Sequence, residues 1–420
     1  MGVRPHVVIV GAGFGGLAVA RNLDKVPVEV TLIDRENFTT FQPLLYQVAT
    51  AGLNDADVAH PVRGLFHRQR NLNVRRGEVV GVDWDRRVLW LADQREVAFD
   101  HLVLAVGAVA TWFGVPGAEE HAIPLYTLED ADRLRNHILE RFEAADADPS
   151  LIDEGELNLV VVGGGPTGVE TAGALAELVA MVFQRDYPTI PVGRARVVLV
   201  EAQDTLLAPF SPASQRAALD TLRARQVEVR LDEAVDEVTR DHVRLASGEV
   251  LPTRTVIWAA GVRANPLAQK LGLPTAPNGR VEVGDDLAVP GHEGVWAVGD
   301  VAAARDSRKD RTLPQLAPVA MQSGAHVARQ IARLMEGRGT QPLRFHDRGT
   351  MATIGRRSAV AELPGRIRLR GTLAWFAWLG LHLLYVAGLR NRLSVLLNWF
   401  WGYITWDRGP RIIINRVCEE

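Results

Sequence analysis

Two glycine turns constrain this chain more than anything else in it. Gly11-Ala12-Gly13-Phe14-Gly15-Gly16 and Gly163-Gly164-Gly165-Pro166-Thr167-Gly168 both keep the spacing G-x-G-x-x-G. Each follows a short apolar run, Val7 to Val10 and Leu159 to Val162, that reads as a buried parallel strand. Helix-compatible sequence follows both, Leu17 to Leu23 and Val169 to Leu178. The first glycine of such a turn permits the tight bend, and the second lets the backbone approach a pyrophosphate. The third lets helix pack on strand, with the helix N-terminus facing the phosphates. One such turn is weak, because glycine-rich strand-to-helix turns also occur as plain structure. Two in one chain are not.

The landmarks around the turns repeat as well. Val28 to Ile33 is a strand ending at Asp34, 18 residues after Gly16. Val197 to Val200 ends at Glu201, 33 residues after Gly168. About 20 is usual for the acid that binds an adenosine ribose. An insertion around residues 183–194, with Pro188 and Pro191, accounts for the longer second interval. Strands from His101 and from Thr255 both end in Ala-x-Gly, at Gly107 and Gly261. Gly11 to Gly107 is 96 positions and Gly163 to Gly261 is 98, which predicts two copies of one nucleotide-binding unit. Glu78 to Phe99 reads as a β-meander. Val295 to Val298, ending in Gly299-Asp300, reads as a strand returning to complete the first unit. The predicted fold is α/β, with two Rossmann-like dinucleotide-binding domains, one inserted in the other. A carboxylate at Glu201 accepts from a ribose 2′-OH and repels a 2′-phosphate, which favours NADH over NADPH. A solvated strand-end glutamate is the alternative.

Cys418 is the only cysteine in 420 residues. Intramolecular disulfides, Cys-x-x-Cys redox chemistry and thiolate metal clusters are therefore excluded. A net charge of -3 offers no argument for nucleic acid. No His/Asp/Glu constellation has metal-ligand spacing, and no Ser/His/Asp set stands out. A strand begins by His6, which leaves no room for a cleaved signal peptide and predicts a protein facing the cytoplasm. Phe41-Gln42-Pro43-Leu44-Leu45-Tyr46-Gln47 reads as loop more than helix, packing the core or lining a cofactor.

The C-terminus differs in character. Gly371 to Leu389 carries no charged residue, and Leu393 to Trp406 is a second apolar run. Leu373 to Leu389 as helix covers roughly 26 Å, against a hydrocarbon core of about 30 Å. Eight arginines and one acid lie between Arg366 and Arg416, with half of the ten tryptophans. Arginine and tryptophan beside short apolar helices is the composition of an interfacial membrane anchor. A core helix or a homodimer interface is the other use of such helices.

Taken together the chain resembles the two-dinucleotide-domain flavoprotein reductases. Within them it is similar to the type II NADH:quinone oxidoreductases. The resemblance rests on the two glycine turns with Asp34, Phe41 to Thr50, Trp258-Ala259-Ala260-Gly261, Gly299-Asp300, residues 317–322 and Ala352-Thr353-Ile354-Gly355. Asn391-Arg392-Leu393 and Asp407-Arg408-Gly409 join them. It implies FAD at Gly11, Ala12, Gly13, Phe14, Gly15, Gly16, Asp34, Val80, Gly107, Asp300 and Ala317. It implies NADH at Gly163, Gly165, Gly168, Glu201 and Gly261, and catalytic roles for Glu170 and Gln322. Glu170 matches the family glutamate near nicotinamide, flavin and quinone; on residues alone it is equally a helix first-turn glutamate favoured by the macrodipole. Gln322 matches the second glutamine of the quinone motif Ala-Gln-x-x-x-Gln, whose first is Pro318 here. The implied activity is hydride transfer from NADH to FAD and on to a membrane quinone, ubiquinone or menaquinone, without proton pumping. The absent cysteine pair agrees, since it removes the thiol relay many relatives of this architecture use. The implied place is the cytoplasmic face of the inner membrane, peripherally bound. Implied domains are 1–115 with 285–350 for FAD, 116–284 for NADH and 351–420 for membrane association. A ferredoxin or rubredoxin reductase and a membrane-docked redox sensor are the rival readings.

Overall fold

The computed structural model describes residues 4–308, 311–405 and 409–413. Trp406, Asp407, Arg408, Arg416 and Cys418 lie outside the described residues. Contacts divide the chain into two units. One is Met1–Thr39, His60–Val109 and Val262–Arg348; the other is Thr40–Ala59, Ala110–Gly261 and Gly349–Glu420.

In the first unit His6–Val10 is the central strand of a five-stranded parallel sheet. Glu29–Asp34 and His101–Leu104 flank it, with Leu72–Arg76 and Val295–Ala297 outermost. Ile9 sits opposite Leu32 on one side and Val103 on the other. Alternation divides the strand between two cores. Val7 and Ile9 pack with Leu17, Val19, Val327 and Ile331, whereas Val8 and Val10 pack with Leu89, Leu91 and Phe99. The first face is covered by the helices Phe14–Asn22 and Ala317–Met335. The second is covered by the antiparallel meander Val79–Asp83, Val88–Leu91 and Glu96–Ala98. The strand returning at Val295 pairs in parallel with His101–Leu104. The two helices cross at glycine: a Cβ on Gly324 would stand 2.3 Å from the Gly15 carbonyl oxygen.

The second unit repeats the plan. Asn158–Val162, wholly buried, is flanked in parallel by Arg196–Val200 and Thr255–Trp258. Val227–Arg230 and Ala122–Pro124 are outermost. The helix Pro166–Glu177 runs into a wider π turn, Leu178–Phe183, and on through Gln184–Asp186 before Pro188 and Pro191. This lengthened helix and its loop account for the longer sequence interval between the second glycine turn and Glu201.

Residues 349–405 are not set apart from this unit. The antiparallel strands Thr350–Gly355, Ser358–Leu363 and Ile367–Arg370 lie beside the glycine-turn helix. A Cβ on Gly173 would stand 2.5 Å from the Ile354 carbonyl oxygen, so helix and strand meet main chain to main chain. The helices Gly371–Tyr385 and Leu389–Thr405 follow, separated by a turn in which Gly388 adopts φ +81°. No helix among the described residues is long and apolar enough to cross a membrane.

Two expectations change. Phe41 to Gln47 is helical rather than loop: a 3-10 turn Gln42–Leu44, opened by Pro43, leads into the helix Leu45–Ala49. Trp375, Trp378 and Trp399 are not interfacial; all three are buried. These three indoles turn inward, whereas Trp401 is exposed, and the Trp399 Nε1–H donates to Gln47 Oε1 at 2.7 Å. An indole that finds an acceptor inside the protein has no need of a headgroup region. The short helix at 45–49 therefore owes its place to a residue more than three hundred positions away.

Candidate active site

The two glycine turns have the same anatomy. Gly11 and Gly163 adopt φ +105° and +110°, and a Cβ there would lie 2.3 Å from the Ala105 and 2.5 Å from the Ala259 carbonyl oxygen. A Cβ on Gly16 or Gly168 would lie 1.8 Å from the Gly11 or Gly163 oxygen. These four positions exclude a side chain outright. Gly13 and Gly165 have nothing within 4 Å of a Cβ, so the side from which a ligand would approach is open. Both are extended N-caps that offer no side-chain hydrogen bond. Neither glycine can cap its helix with a side chain, and a helix N-terminus left uncapped in this way is the arrangement that binds phosphate. The residues fit a dinucleotide pyrophosphate at both turns.

The strand-end acids match one another too. Asp34 accepts from the Ala12 N–H at 2.5 Å and the Glu36 N–H at 2.8 Å. Glu201 accepts from the Gly164 N–H at 2.5 Å and the Gln203 N–H at 2.9 Å. Each carboxylate bonds the residue after the first glycine and the residue two beyond itself. Burial raises the Asp34 carboxyl above its usual range, against the pull of its two backbone donors.

The remaining positions are placed as follows. Gly107 and Gly299 lie at φ +69° and +70°, and Gly261 at +149°. The Gly299 N–H donates to Ser323 Oγ at 3.0 Å, and the Gln315 amide donates to the Asp300 carbonyl at 3.0 Å. Beside Asp300 the buried Arg280 donates to the Ala302 and Leu313 carbonyls at 2.8 and 2.9 Å. Ala317 is the first residue of its helix and Pro318 stands in the first turn, where a missing N–H costs nothing. Val80, on the meander, is half exposed.

Glu170 lies in the second unit, one turn into the glycine-turn helix, and is 9% exposed. Its Oε1 accepts from the Thr353 N–H at 3.1 Å. Burial pushes its carboxyl up to about 8, against the Thr353 bond and the Trp378 indole. The Trp378 Nε1 is itself buried without a hydrogen bond of ordinary geometry. Around it lies an aromatic chamber that sequence reading did not assemble. His382 stacks on Trp378 at 4.0 Å, and Trp399 lies 6.0 Å from it. The Tyr46 ring meets Trp378 edge-on at 6.3 Å, and its hydroxyl accepts from Gln47 at 2.8 Å. Burial, with Glu170 next, drives the Tyr46 phenol well above its usual range. His382 Nδ1 donates to the Trp378 carbonyl at 2.8 Å, and burial lowers the imidazole to about 4. The Phe41 to Gln47 run was visible in the sequence, but its partners are not.

Gln322 lies in the first unit. Its amide donates to the His346 carbonyl and accepts from the His346 N–H, both at 2.9 Å. The arginine–asparagine pair after the first C-terminal helix is also structural. Asn391 donates to the Ala56 and Ala59 carbonyls at 2.9 and 3.0 Å. Arg392 donates to the Leu384 and Val386 carbonyls at 2.7 and 2.9 Å, capping that helix.

Comparison with known proteins places this geometry. Residues 5–324 match the pyridine nucleotide-disulphide oxidoreductase family, and residues 347–405 match the NDH2 C-terminal domain. The chain is 36% identical to the type II NADH:quinone oxidoreductase NdhA of Mycobacterium tuberculosis, over 99% of this chain and 91% of that protein. It is 34% identical to Ndh of the same organism, over 98% and 91%. In fold it is similar to NDH2 from Plasmodium falciparum, solved in complex with NADH, with a TM-score of 0.89, 19% identity and coverage of 97% and 100%.

Proposed function

The chain belongs to the type II NADH:quinone oxidoreductases, and on that footing we propose which of its residues carry each part of the reaction. When bound, FAD accepts the hydride of NADH and returns two electrons to the quinone. Gly11 to Gly16 and Asp34 hold FAD; Gly163, Gly165, Gly168 and Glu201 hold NADH. Gly107, Asp300, Ala317, Val80 and Gly261 complete the two sites. What carries the reading is the pair of matched cradles in a chain with one cysteine. Two nucleotides can be seated, and no thiol pair exists to take the electrons onward.

A quinone reduced by two electrons also needs two protons. Glu170 supplies one: a carboxyl held near 8 is protonated at neutral pH and can donate. The Thr353 N–H fixes Oε1. The Trp378 N–H in the same chamber can donate a hydrogen bond but not a proton, so the second proton comes from solvent. Gln322 keeps one further N–H and one lone pair beyond its His346 contacts and can still orient a quinone oxygen. Glu201 favours NADH, because a 2′-phosphate would meet its carboxylate.

The C-terminal helices attach the enzyme peripherally to the cytoplasmic face of the inner membrane. Their outward faces are apolar: Leu373, Phe376, Leu384, Leu397, Phe400 and Ile404 are each more than 60% exposed. Trp401 joins them, and Arg368, Arg370 and Arg390 are exposed on the flanks for anionic headgroups. Association of two copies through the same face is the competing use of these side chains. No element of this scheme pumps protons.

The test is stopped-flow absorbance of the FAD-loaded protein. NADH is expected to bleach the flavin, and ubiquinone or menaquinone to restore it on a second push. Bleaching without reoxidation by any quinone would return the chain to the sensor or protein-reductase readings.

A further inference from the structure

The first unit holds a cleft of about 930 Å3 between the helix Ala317–Met335 and residues 338–348. Its lining includes five arginines, at 329, 333, 338, 344 and 348, and no acidic side chain. The whole chain carries a net charge of -3, so this is a strong local excess. Ligand clefts of this size are ordinarily mostly apolar; this one is not. Arg333 gives Nε to the Gly339 carbonyl at 2.8 Å, and Arg338 pairs with Glu336 just outside the lining. Arg329 and Arg344 make no hydrogen bond or ion pair with any described residue.

The cleft is built, not a gap between loose loops. Gln322, His326 and Gln330 recur every four residues along one helix face, and each grips the opposite wall by its main chain. Gln322 holds His346 at both ends of its amide. His326 Nε2 bonds the Gln341 carbonyl at 3.0 Å, and Gln330 Oε1 accepts from the Gln341 N–H at 2.8 Å. His326 and Gln330 are nearly fully buried. On the far side the Leu343 N–H donates to the Asp285 carbonyl at 2.7 Å, and Ser307 Oγ donates to the Leu343 carbonyl at 2.9 Å. The wall is thus fixed at 341, 343 and 346, and the arginines between and beside these anchors face one space.

Guanidinium groups lining one space repel each other unless an anion sits among them. Their planar forks match phosphate oxygens two at a time. We propose that this cleft, whose lining includes no residue of either glycine turn, is a binding site for a phosphate-bearing anion, with Arg329 and Arg344 as its principal donors. A soluble polyphosphate and the headgroup of an anionic phospholipid share that chemistry.

Two arms separate these sources. In the first, FAD-loaded protein saturated with NAD+, so that both cradles are filled, is titrated with tripolyphosphate by calorimetry at low salt. In the second, it is floated with vesicles of phosphatidylcholine, with and without phosphatidylglycerol. The variant is Arg329→Ala/Arg344→Ala, with Arg329→Lys/Arg344→Lys as the charge-preserving control and unchanged FAD content and melting temperature as the check on folding. A soluble ligand predicts tripolyphosphate affinity lower by roughly tenfold or more in the alanine variant, with vesicle binding unchanged. A lipid headgroup predicts loss of the phosphatidylglycerol-dependent gain in flotation. The lysine variant should retain most of either signal. Equal behaviour of wild type and alanine variant in both arms overturns the proposal.

Discussion

Replacing Glu170 by Gln tests the buried carboxyl directly, because the amide keeps its size and its acceptor for Thr353 but cannot ionise. In the unfolded chain this carboxyl titrates near the usual 4.5, and in the folded protein near 8. Its folded pKa is raised, so below 4.5 it is protonated in both states and adds no pH-dependent term. As pH climbs from about 4.5 to 8 the unfolded chain sheds the proton while the folded one keeps it, and stability falls. Above 8 both are ionised and the loss levels off. The full interval corresponds to about 4–5 kcal/mol at about 1.4 kcal/mol per pH unit, an upper bound, since a real chamber relaxes and admits water. Urea unfolding of wild type and Glu170→Gln between pH 5 and 9 should therefore show curves that diverge, with the variant gaining on the wild type as pH rises. Quinone turnover should move differently: the variant loses the proton donor at every pH, and the wild-type rate declines above about pH 8. Parallel stability curves across that range would falsify the premise that the carboxyl is held protonated by burial.

Other expectations are sharper in single assays. Glu201→Gln keeps an acceptor for the Gly164 N–H and removes the charge, so the ratio of kcat/KM for NADH over NADPH should fall by about tenfold; an unchanged ratio would remove the residue from nucleotide selection. Gly324→Ala places a Cβ against the Gly15 carbonyl, and should cost about 1–3 kcal/mol in unfolding and weaken FAD retention, read as flavin released on gel filtration. Leu384→Asp/Leu397→Asp alters only outward side chains. It should abolish flotation with phosphatidylcholine–phosphatidylglycerol vesicles while NADH oxidation with a short-chain quinone persists, and undiminished flotation would count against these helices as the anchor.

Much of the nucleotide-binding plan could be read before the structure because it depends on main-chain geometry. Where a Cβ would sit within 2.5 Å of a carbonyl, as at Gly11, Gly16, Gly163 and Gly168, only one residue type serves, and the sequence records it. Strand-end acids are legible for the same reason: Asp34 and Glu201 answer backbone amides at fixed offsets. The surroundings of Glu170 and Gln322 are another matter. Composition says that a helix is rich in tryptophan but not which way it turns. Trp378 and Trp399 face inward because Tyr46 and Gln47 are there to receive them, contacts made across more than three hundred residues. Gln322 reads as a free glutamine in a motif, yet its amide is engaged by a peptide 24 residues away. Side-chain partners supplied by tertiary packing leave no local pattern.

The doubled latch of carboxylate on glycine turn has an evolutionary side. At each cradle one acid braces the turn, through Ala12 or Gly164, and the same side chain is the one proposed above to meet the nucleotide ribose. On that proposal, selectivity and scaffold stability share a single side chain. A lineage drifting toward the phosphorylated nucleotide cannot simply discard Glu201, since the Gly164 amide would lose its acceptor at the same step. It must first acquire another brace or pass through a less stable form. Cofactor choice in such a protein is held in place by folding as much as by demand for the cofactor.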